Sequence, residues 1–304
     1  MIDKLEFLLA LARERHFGRA AEMCGVTQPT LSAGLKQLED TLGILLVTRG
    51  SRFQALTPEG ERVLDWAKRI VGDVRTMRQE VRALKQGQLV GSLRLAAIPT
   101  ALAMVSALTT PFHVHHPDVR FTVKSCTSSE VLAELDNLEI DAGISYLDNE
   151  PIGRARAIPL YREQYRLLIS ADSKLGNRKQ VTWAEVGRIP LCLLTPDMQN
   201  RRIINHLLRE AGVHDAAPTL ESNSMIVLFS HVRTGQWASV MPAILGETLG
   251  LTGSVRSIPI VEPTAVHTIG LIVPNREPMT PITAALVAEA LKVAPTLDAE
   301  LAAE

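Results

Sequence analysis

Three cysteines in 304 residues, Cys24, Cys126 and Cys192, are too few and too far apart to staple a fold. None forms a CxxC pair, which suits a reducing compartment, so the expected location is the cytoplasm. No apolar run approaches the roughly 18 uninterrupted residues of a membrane helix. The opening MIDKLEFLLALARER mixes acids and bases into its apolar stretch and does not read as a secretion signal. There is no G-x-S-x-G, Walker A or G-x-G-x-x-G motif, and with them go the nucleophile elbow, the phosphate cradle and the dinucleotide turn. His113, His115 and His116 are close in sequence. Neighbours 115 and 116 cannot face one site on a helix, and no cysteine or acidic triad accompanies them, so no metal and no other cofactor is expected. Large net charge is absent too, at −1, but the balance is uneven. Residues 1–90 carry 14 Lys and Arg against 11 Asp and Glu, and the remainder carries 18 against 22. A mildly basic N-terminal part joined to a mildly acidic body suits a DNA-facing head.

In the first sixty residues, Leu5, Leu8, Leu9 and Ala12 recur at helical spacing. A short helix follows around Gly18–Met23, and Gly25 breaks it. Thr27 is placed to cap a third helix with Pro29 in its first turn, running from Thr30 to about Thr41. Leu31, Leu35 and Leu38 make its apolar stripe, while Gln28, Thr30, Ser32, Ala33 and Lys36 form a polar face. Helix, glycine turn and helix make a helix-turn-helix, whose second helix enters the major groove N-terminus first. Thr27, Gln28, Pro29, Thr30 and Ser32 are therefore expected at base edges or phosphates, with Lys36 on a phosphate. Residues 42–57 read as two short strands around a turn bearing Arg49 and Arg52, a wing that grips the DNA backbone or minor groove.

The run RAAEMCGVTQPTLSAGLKQLEDTLGILLVTRGSRFQALTPEG resembles the signature of the LysR-type bacterial transcription regulators. The matching residues are Ala20-Ala21, Val26-Thr27-Gln28-Pro29, Leu31-Ser32, Leu38-Glu39, Leu42-Gly43, Arg49, Leu56-Thr57 and Gly60. Two positions depart from that pattern. Ala33-Gly34 replaces larger polar residues, which removes potential DNA contacts, and Val47 replaces a Phe. The resemblance implies promoter DNA and a second copy of the chain as partners, in a homodimer or homotetramer. It also implies a small-molecule effector and, as a further candidate partner, RNA polymerase.

Thr57-Pro58-Glu59-Gly60-Glu61 reads as a helix start. Val63, Ala67, Ile70, Val74, Met77, Val81 and Leu84 then repeat at steps of four and three, a heptad seam ended by Gly87. One reading packs this helix on its own domain; the 3.5-residue period favours a partner helix. In the LysR type such a linker pairs antiparallel with its mate, matching a pseudo-palindromic operator.

Beyond Gly91, strands and helices alternate. Strands are expected at 92–98, 119–125, 141–145, 160–170, 191–194, 219–222 and 239–241. Helices are expected at 101–113, 129–137, 200–211, 225–234 and 281–294. Alternation of this kind predicts an α/β domain with a largely parallel sheet. The fold class is thus an α-rich winged helix-turn-helix domain (residues 1–58) and a linker helix (59–88), followed by an α/β effector domain (89–304). The resemblance makes that last domain two-lobed and periplasmic-binding-protein-like, with one lobe from 91–161 plus 267–304 and the other from 162–266. Ligands of such folds sit beyond strand ends, at helix N-termini. That rule selects Pro99-Thr100-Ala101, Thr127-Ser128-Ser129, Met198-Gln199-Asn200 and Asn223, hydroxyls and amides that suit an organic anion. Each alone could be an ordinary N-cap. Arg201-Arg202 could add cations or stay solvated, and Tyr146 could line the cleft or simply end a strand. The expected function is ligand-controlled transcription rather than catalysis. The rivals are an α/β ligand-binding protein and an enzyme with an accessory winged helix.

Overall fold

The computed structural model describes residues 1–49, 53–148, 150–248 and 253–302. Contacts divide the chain into two units. One holds Met1–Leu89 with the short segments Asp136–Glu139 and Pro278–Pro281. The other holds Val90–Leu135, Ile140–Glu277 and Ile282–Glu304.

The first unit is built from helices α1 (Ile2–Glu14), α2 (Phe17–Met23) and α3 (Gln28–Leu42), strands β1 (Val47–Arg49) and β2 (Phe53–Leu56), and the 29-residue helix α4 (Pro58–Gln86). On α1 the buried stripe is Leu5, Leu8 and Leu11; Leu9 and Ala12, expected in it, pack at its edge. Helix α2 starts one residue earlier than expected because His16 caps it, its Nδ1 accepting from Gly18 N at 3.1 Å and Arg19 N at 3.3 Å. Helix α3 ends where Gly43 adopts φ 70°. Strands β1 and β2 pair antiparallel, Val47 opposite Leu56. Thr57 caps α4 through Gly60 N at 2.9 Å. A side chain at position 60 would put its Cβ 2.1 Å from the Leu46 carbonyl oxygen, so only glycine lets the first turn of α4 lie there.

The second unit begins with β3 (Gly91–Ala97), a 3-10 turn (Pro99–Met104), α5 (Val105–His115), β4 (Val119–Ser125), α6 (Ser128–Asp136) and β5 (Ala142–Tyr146). It continues with β6 (Ala155–Ser170), β7 (Val181–Thr182), α7 (Trp183–Val186), β8 (Cys192–Leu194), α8 (Gln199–Glu210), β9 (Leu220–Ser222), α9 (Met225–Val232) and β10 (Ser239–Pro242). The last elements are α10 (Ala243–Thr248), β11 (Val255–Val261), β12 (Val266–Pro274) and α11 (Pro281–Ala302). The main sheet runs β4-β3-β5-β12-β6-β11-β7, with β10 also on β6, and β8 pairs β9 separately.

The sheet is mixed, which corrects the largely parallel expectation. Strands β4, β3 and β5 are parallel, but β12 is antiparallel to β5 and β6, as β10 and β11 are to β6. Strands β11 and β12 were not foreseen. The 16-residue β6 starts five residues before its expected position and makes the two-lobed shape. Its residues 155–164 pair with β12, and 165–170 pair with β10 and β11, so one strand serves both lobes. Separate cores follow. Ala96, Val131, Leu135, Ile140 and Ile272 fill one; Leu168, Cys192, Leu194, Leu228, Val232 and Met241 fill the other. None of the described helices is long and apolar enough to cross a membrane.

Candidate functional site

Two surfaces carry the residues singled out above. On the first unit, α3 offers Gln28, Pro29, Thr30 and Lys36 as exposed residues, with Ser32 half-buried. Thr27 is exposed but already engaged. Its Oγ1 accepts from Thr30 N at 3.4 Å and lies 2.9 Å from Thr30 Oγ1, which caps the helix. Arg49 ends β1, and Arg52 lies outside the described residues.

Gly34 needs a correction. It is buried against α1, where an added Cβ would meet the Phe7 ring at 2.7 Å. Its small size is therefore a packing requirement between α1 and α3 rather than a lost DNA contact. Sequence reasoning assigned no role to Glu39, which is 4% exposed. Its Oε1 accepts from Leu46 N at 3.0 Å and Val47 N at 3.3 Å, tying the start of the wing to the recognition helix.

Helix α4 divides its apolar residues between two faces. Leu64, Ala67 and Val71 are buried in the unit's own core, so Ala67 of the expected seam, with half-buried Val63 packed at its edge, belongs there. Ile70, Met77, Val81 and Leu84 are exposed, joined by Trp66, which the heptad reading missed; Arg69 lies 5.2 Å over its ring.

In the second unit, Ile98, Pro99, Thr100, Ser128, Tyr146, Leu194, Met198, Gln199 and Asn200 line one cavity. Six of the ten residues named for the effector meet there: Pro99, Thr100, Ser128, Met198, Gln199 and Asn200. Four do not line it. Ala101 is buried in its turn. Thr127 caps α6 with Glu130, its Oγ1 accepting from Glu130 N at 3.2 Å while Glu130 Oε2 accepts from Thr127 N at 2.8 Å. Ser129 and Asn223 are exposed, and Ser129 Oγ lies 3.1 Å from Thr127 Oγ1.

The floor of the cavity is a polar network. Tyr146 donates to Glu163 Oε1 at 2.5 Å and lies 3.0 Å from Tyr165 Oη. Asn200 Nδ2 donates to Tyr146 Oη at 3.4 Å, and Thr100 Oγ1 stands 3.5 Å from it. Burial pushes the Glu163 carboxyl up to about 7, opposed by the hydroxyls of Tyr146 and Tyr165. Burial, then the Glu163 charge, raises the Tyr146 and Tyr165 hydroxyls well above the ordinary tyrosine value. Burial lowers His267, whose ring meets both tyrosines. Glu163 escaped sequence reasoning because an acid in a strand gives no local sign of being buried.

The arginines considered as cation donors are both engaged. Arg201 is 5% exposed and bonds Glu221 at 2.7 Å and the Leu194 carbonyl at 2.8 Å. Arg202 pairs with Glu150, whose other oxygen accepts from Ser128 at 3.0 Å. Helix α8 has no side-chain cap, so its first backbone N–H groups lack a side-chain partner where Met198, Gln199 and Asn200 line that cavity. His116 meets the Phe112 ring at 4.8 Å, tilted by 55°, and His115 stands 3.7 Å from Glu289. Among the described residues no three His, Cys, Asp or Glu are grouped to hold a metal.

Comparison with known proteins adds to this geometry. Residues 2–61 match the family described as "Bacterial regulatory helix-turn-helix protein, lysR family", and residues 86–295 match "LysR substrate binding domain". The chain is 30% identical over 273 residues to the "DNA-binding transcriptional dual regulator OxyR" of Escherichia coli K12, covering 89% of this chain and 88% of that one. It is 28% identical, with the same coverage, to the "Hydrogen peroxide-inducible genes activator" of Dickeya chrysanthemi. A full-length OxyR variant from Pseudomonas aeruginosa superposes with a TM-score of 0.73 at 26% identity, over 96% of this chain and 94% of that structure.

Proposed function

The chain belongs to the LysR family of DNA-binding transcription regulators, and from that premise we propose that a small organic anion entering the cavity of the second unit controls its promoter occupancy. The juxtaposition of Thr100 and Ser128 with Met198, Gln199 and Asn200 around one cavity carries this reading. The uncapped start of α8 supplies partial positive charge there. We assign residues 1–58 to DNA binding, 59–88 to pairing with a second copy, and 89–304 to effector sensing. The lobes are 91–161 plus 267–304 and 162–266. Gln28, Thr30 and Ser32 read bases, Lys36, Arg49 and Arg52 hold the backbone, and Thr27 and Pro29 shape the helix start. The chain makes and breaks no bond. It works in the cytoplasm by biasing two arrangements of its lobes, each favouring a different spacing of DNA-bound heads.

The name of the Dickeya chrysanthemi relative raises a peroxide reading, which the three thiols do not support. Burial pushes Cys126 and Cys192 up to about 11, with Glu134 and Glu130 adding to the first. Burial and then Glu6 raise Cys24. A thiol held protonated is a poor nucleophile toward peroxide, so reversible ligand binding is the better reading.

Gel retardation with the chain's own upstream region, with and without a panel of small organic anions, tests the function. An anion should alter the retarded species and raise Tm, and Thr100→Val and Ser128→Ala should each shrink that rise while sparing DNA binding without ligand. An anion response indifferent to both substitutions would remove the cavity from the mechanism.

A further inference from the structure

Most polar groups around the cavity are consumed by one another. Thr127 and Glu130 close the start of α6 reciprocally. Ser128 donates to Glu150 and accepts from Arg202. Thr100 and the Asn200 amide nitrogen meet Tyr146, whose proton goes to Glu163. Glu163 Oε2 and Thr195 Oγ1 are also buried without a partner but do not line the cavity; among the lining residues two unmet features stand out, and both belong to the first turn of α8. One is the uncapped row of backbone N–H groups. The other is Gln199, which is 3% exposed, lines the cavity, and leaves its carbonyl oxygen Oε1 buried without a hydrogen-bond partner. The orientation of that amide follows from chemistry: Nε2 donates to the Asp148 carbonyl oxygen at 3.0 Å, and a flipped amide would set two oxygens against each other. Oε1 is therefore an acceptor waiting for a donor, beside a row of donors waiting for an acceptor.

We propose that the effector carries a hydrogen-bond donor immediately next to its anionic group, as a 2-hydroxy- or 2-aminocarboxylate does, with the donor on Gln199 Oε1 and the carboxylate at the start of α8. Both complementary features lie in one helical turn, so the two ligand groups sit close together along it. Ile98, Pro99, Leu194 and Met198 give the remainder of the ligand an apolar wall, which suits a short aliphatic substituent. A carboxylate without the donor satisfies the helix but leaves Oε1 buried and unpaired, and that unmet acceptor is what discriminates.

The inference rests on the anion-binding reading of the cavity, and the test separates the two. Calorimetry on the full chain compares matched probes: lactate and alanine against propionate, and 2-hydroxybutyrate against butyrate. The donor-bearing member should bind about tenfold tighter or better, one hydrogen bond's worth. Gln199→Met keeps the bulk and removes the acceptor; it should bring the ratio within each pair to about one, whatever it does to the absolute affinities. Equal binding of both members by the unmodified chain, or a ratio that survives in Gln199→Met, overturns the donor rule and leaves the anion site standing. No binding of any probe overturns the anion site and the donor rule with it.

Discussion

Tyr146 on β5 donates a 2.5 Å hydrogen bond to Glu163 on β6, and both residues are at most 2% exposed. A carboxyl so placed holds its proton up to about pH 7, against 4.5 when unfolded. Below pH 4.5 both states are protonated and burial of the acid carries no charge penalty. Between 4.5 and 7 the unfolded chain releases a proton that the folded chain keeps, so stability falls as pH rises. Above about 7 the full cost is present, on the order of 3 kcal/mol. Glu163→Gln keeps the shape and cannot ionise. Its stability relative to the unmodified chain should therefore be higher at pH 8 than at pH 5. Equal differences at the two pH values in denaturant titrations would refute a buried ionisation here. Tyr146, Tyr161 and Tyr165, which face Glu163, stay protonated across that window; His267, lowered from its ordinary value by burial, adds a pH dependence of opposite sign to both chains, and the difference between the two chains removes it.

On the proposed DNA-binding face, Gln28 and Lys36 are both exposed on α3 but stand about two turns apart. Gln28→Ala should cost about 1–3 kcal/mol on the preferred operator and flatten base preference at one position. Lys36→Ala should weaken all sequences alike and lower the salt slope by about one unit. Affinity measured on operator and scrambled duplexes at several salt concentrations distinguishes them. Identical, sequence-independent losses would deny Gln28 a reading role.

Short-range signals made the first unit largely legible. Thr27 and Thr57 as caps, Pro29 and Pro58 in first turns, and Gly87 past a helix end are local chemistry that survives in the fold. What failed was longer in range. Gly34 faces Phe7 across two helices, and no pattern within α3 says so. Strands β11 and β12 were missed because VRSIPIV and VHTIGLIVP sit between loops with no helix between them, so the alternation that marked earlier strands was absent. In the candidate site, the helix-start rule found Thr100, Ser128 and Gln199 but also took Thr127 and Asn223. Capping and ligand binding use the same residue types, and only three-dimensional convergence tells them apart.

Helix α4 leaves Met77 at 55%, Val81 at 59% and Leu84 at 85% exposure in one chain. Met77→Glu should leave the single chain folded, since the side chain has little contact to lose, yet break pairing by setting like charges in an apolar seam. Analytical ultracentrifugation should then show a smaller assembly and operator affinity should drop. An unchanged sedimentation profile would mean that this stripe is not where the copies meet.

The thiols give a negative expectation with a sharp test. Cys192 lies within 3.6 Å of the Leu228 carbonyl in a buried strand, and Cys126 lies 3.9 Å from Glu134, whose charge opposes a thiolate. Replacing Cys24, Cys126 and Cys192 with Ser, singly, should leave the response of DNA binding to the effector intact, and hydrogen peroxide should not reproduce that response. A peroxide-driven change in DNA binding that one Cys→Ser substitution abolishes would reverse the reading.

Two ties cross the cavity, and their environments predict opposite behaviour in salt. Asn200, 3% exposed, donates to Tyr146 in a buried network. Arg202 meets Glu150 through side chains 42% and 33% exposed, with Nε 3.0 Å from Oε1. Water and ions reach the second pair and screen it, while the entropy of holding two long side chains opposes it, so Arg202→Ala should cost at most about 1 kcal/mol. Asn200→Ala removes a buried donor and leaves space behind it, so its cost should be about 1–3 kcal/mol. Raising salt from about 0.05 M to about 1 M shortens the screening length from roughly 14 Å to 3 Å. The Arg202 difference should then vanish from thermal denaturation while the Asn200 difference persists. If the Arg202 substitution proved the costlier and its cost ignored salt, the exposed pair rather than the buried network would be what holds the cavity walls together.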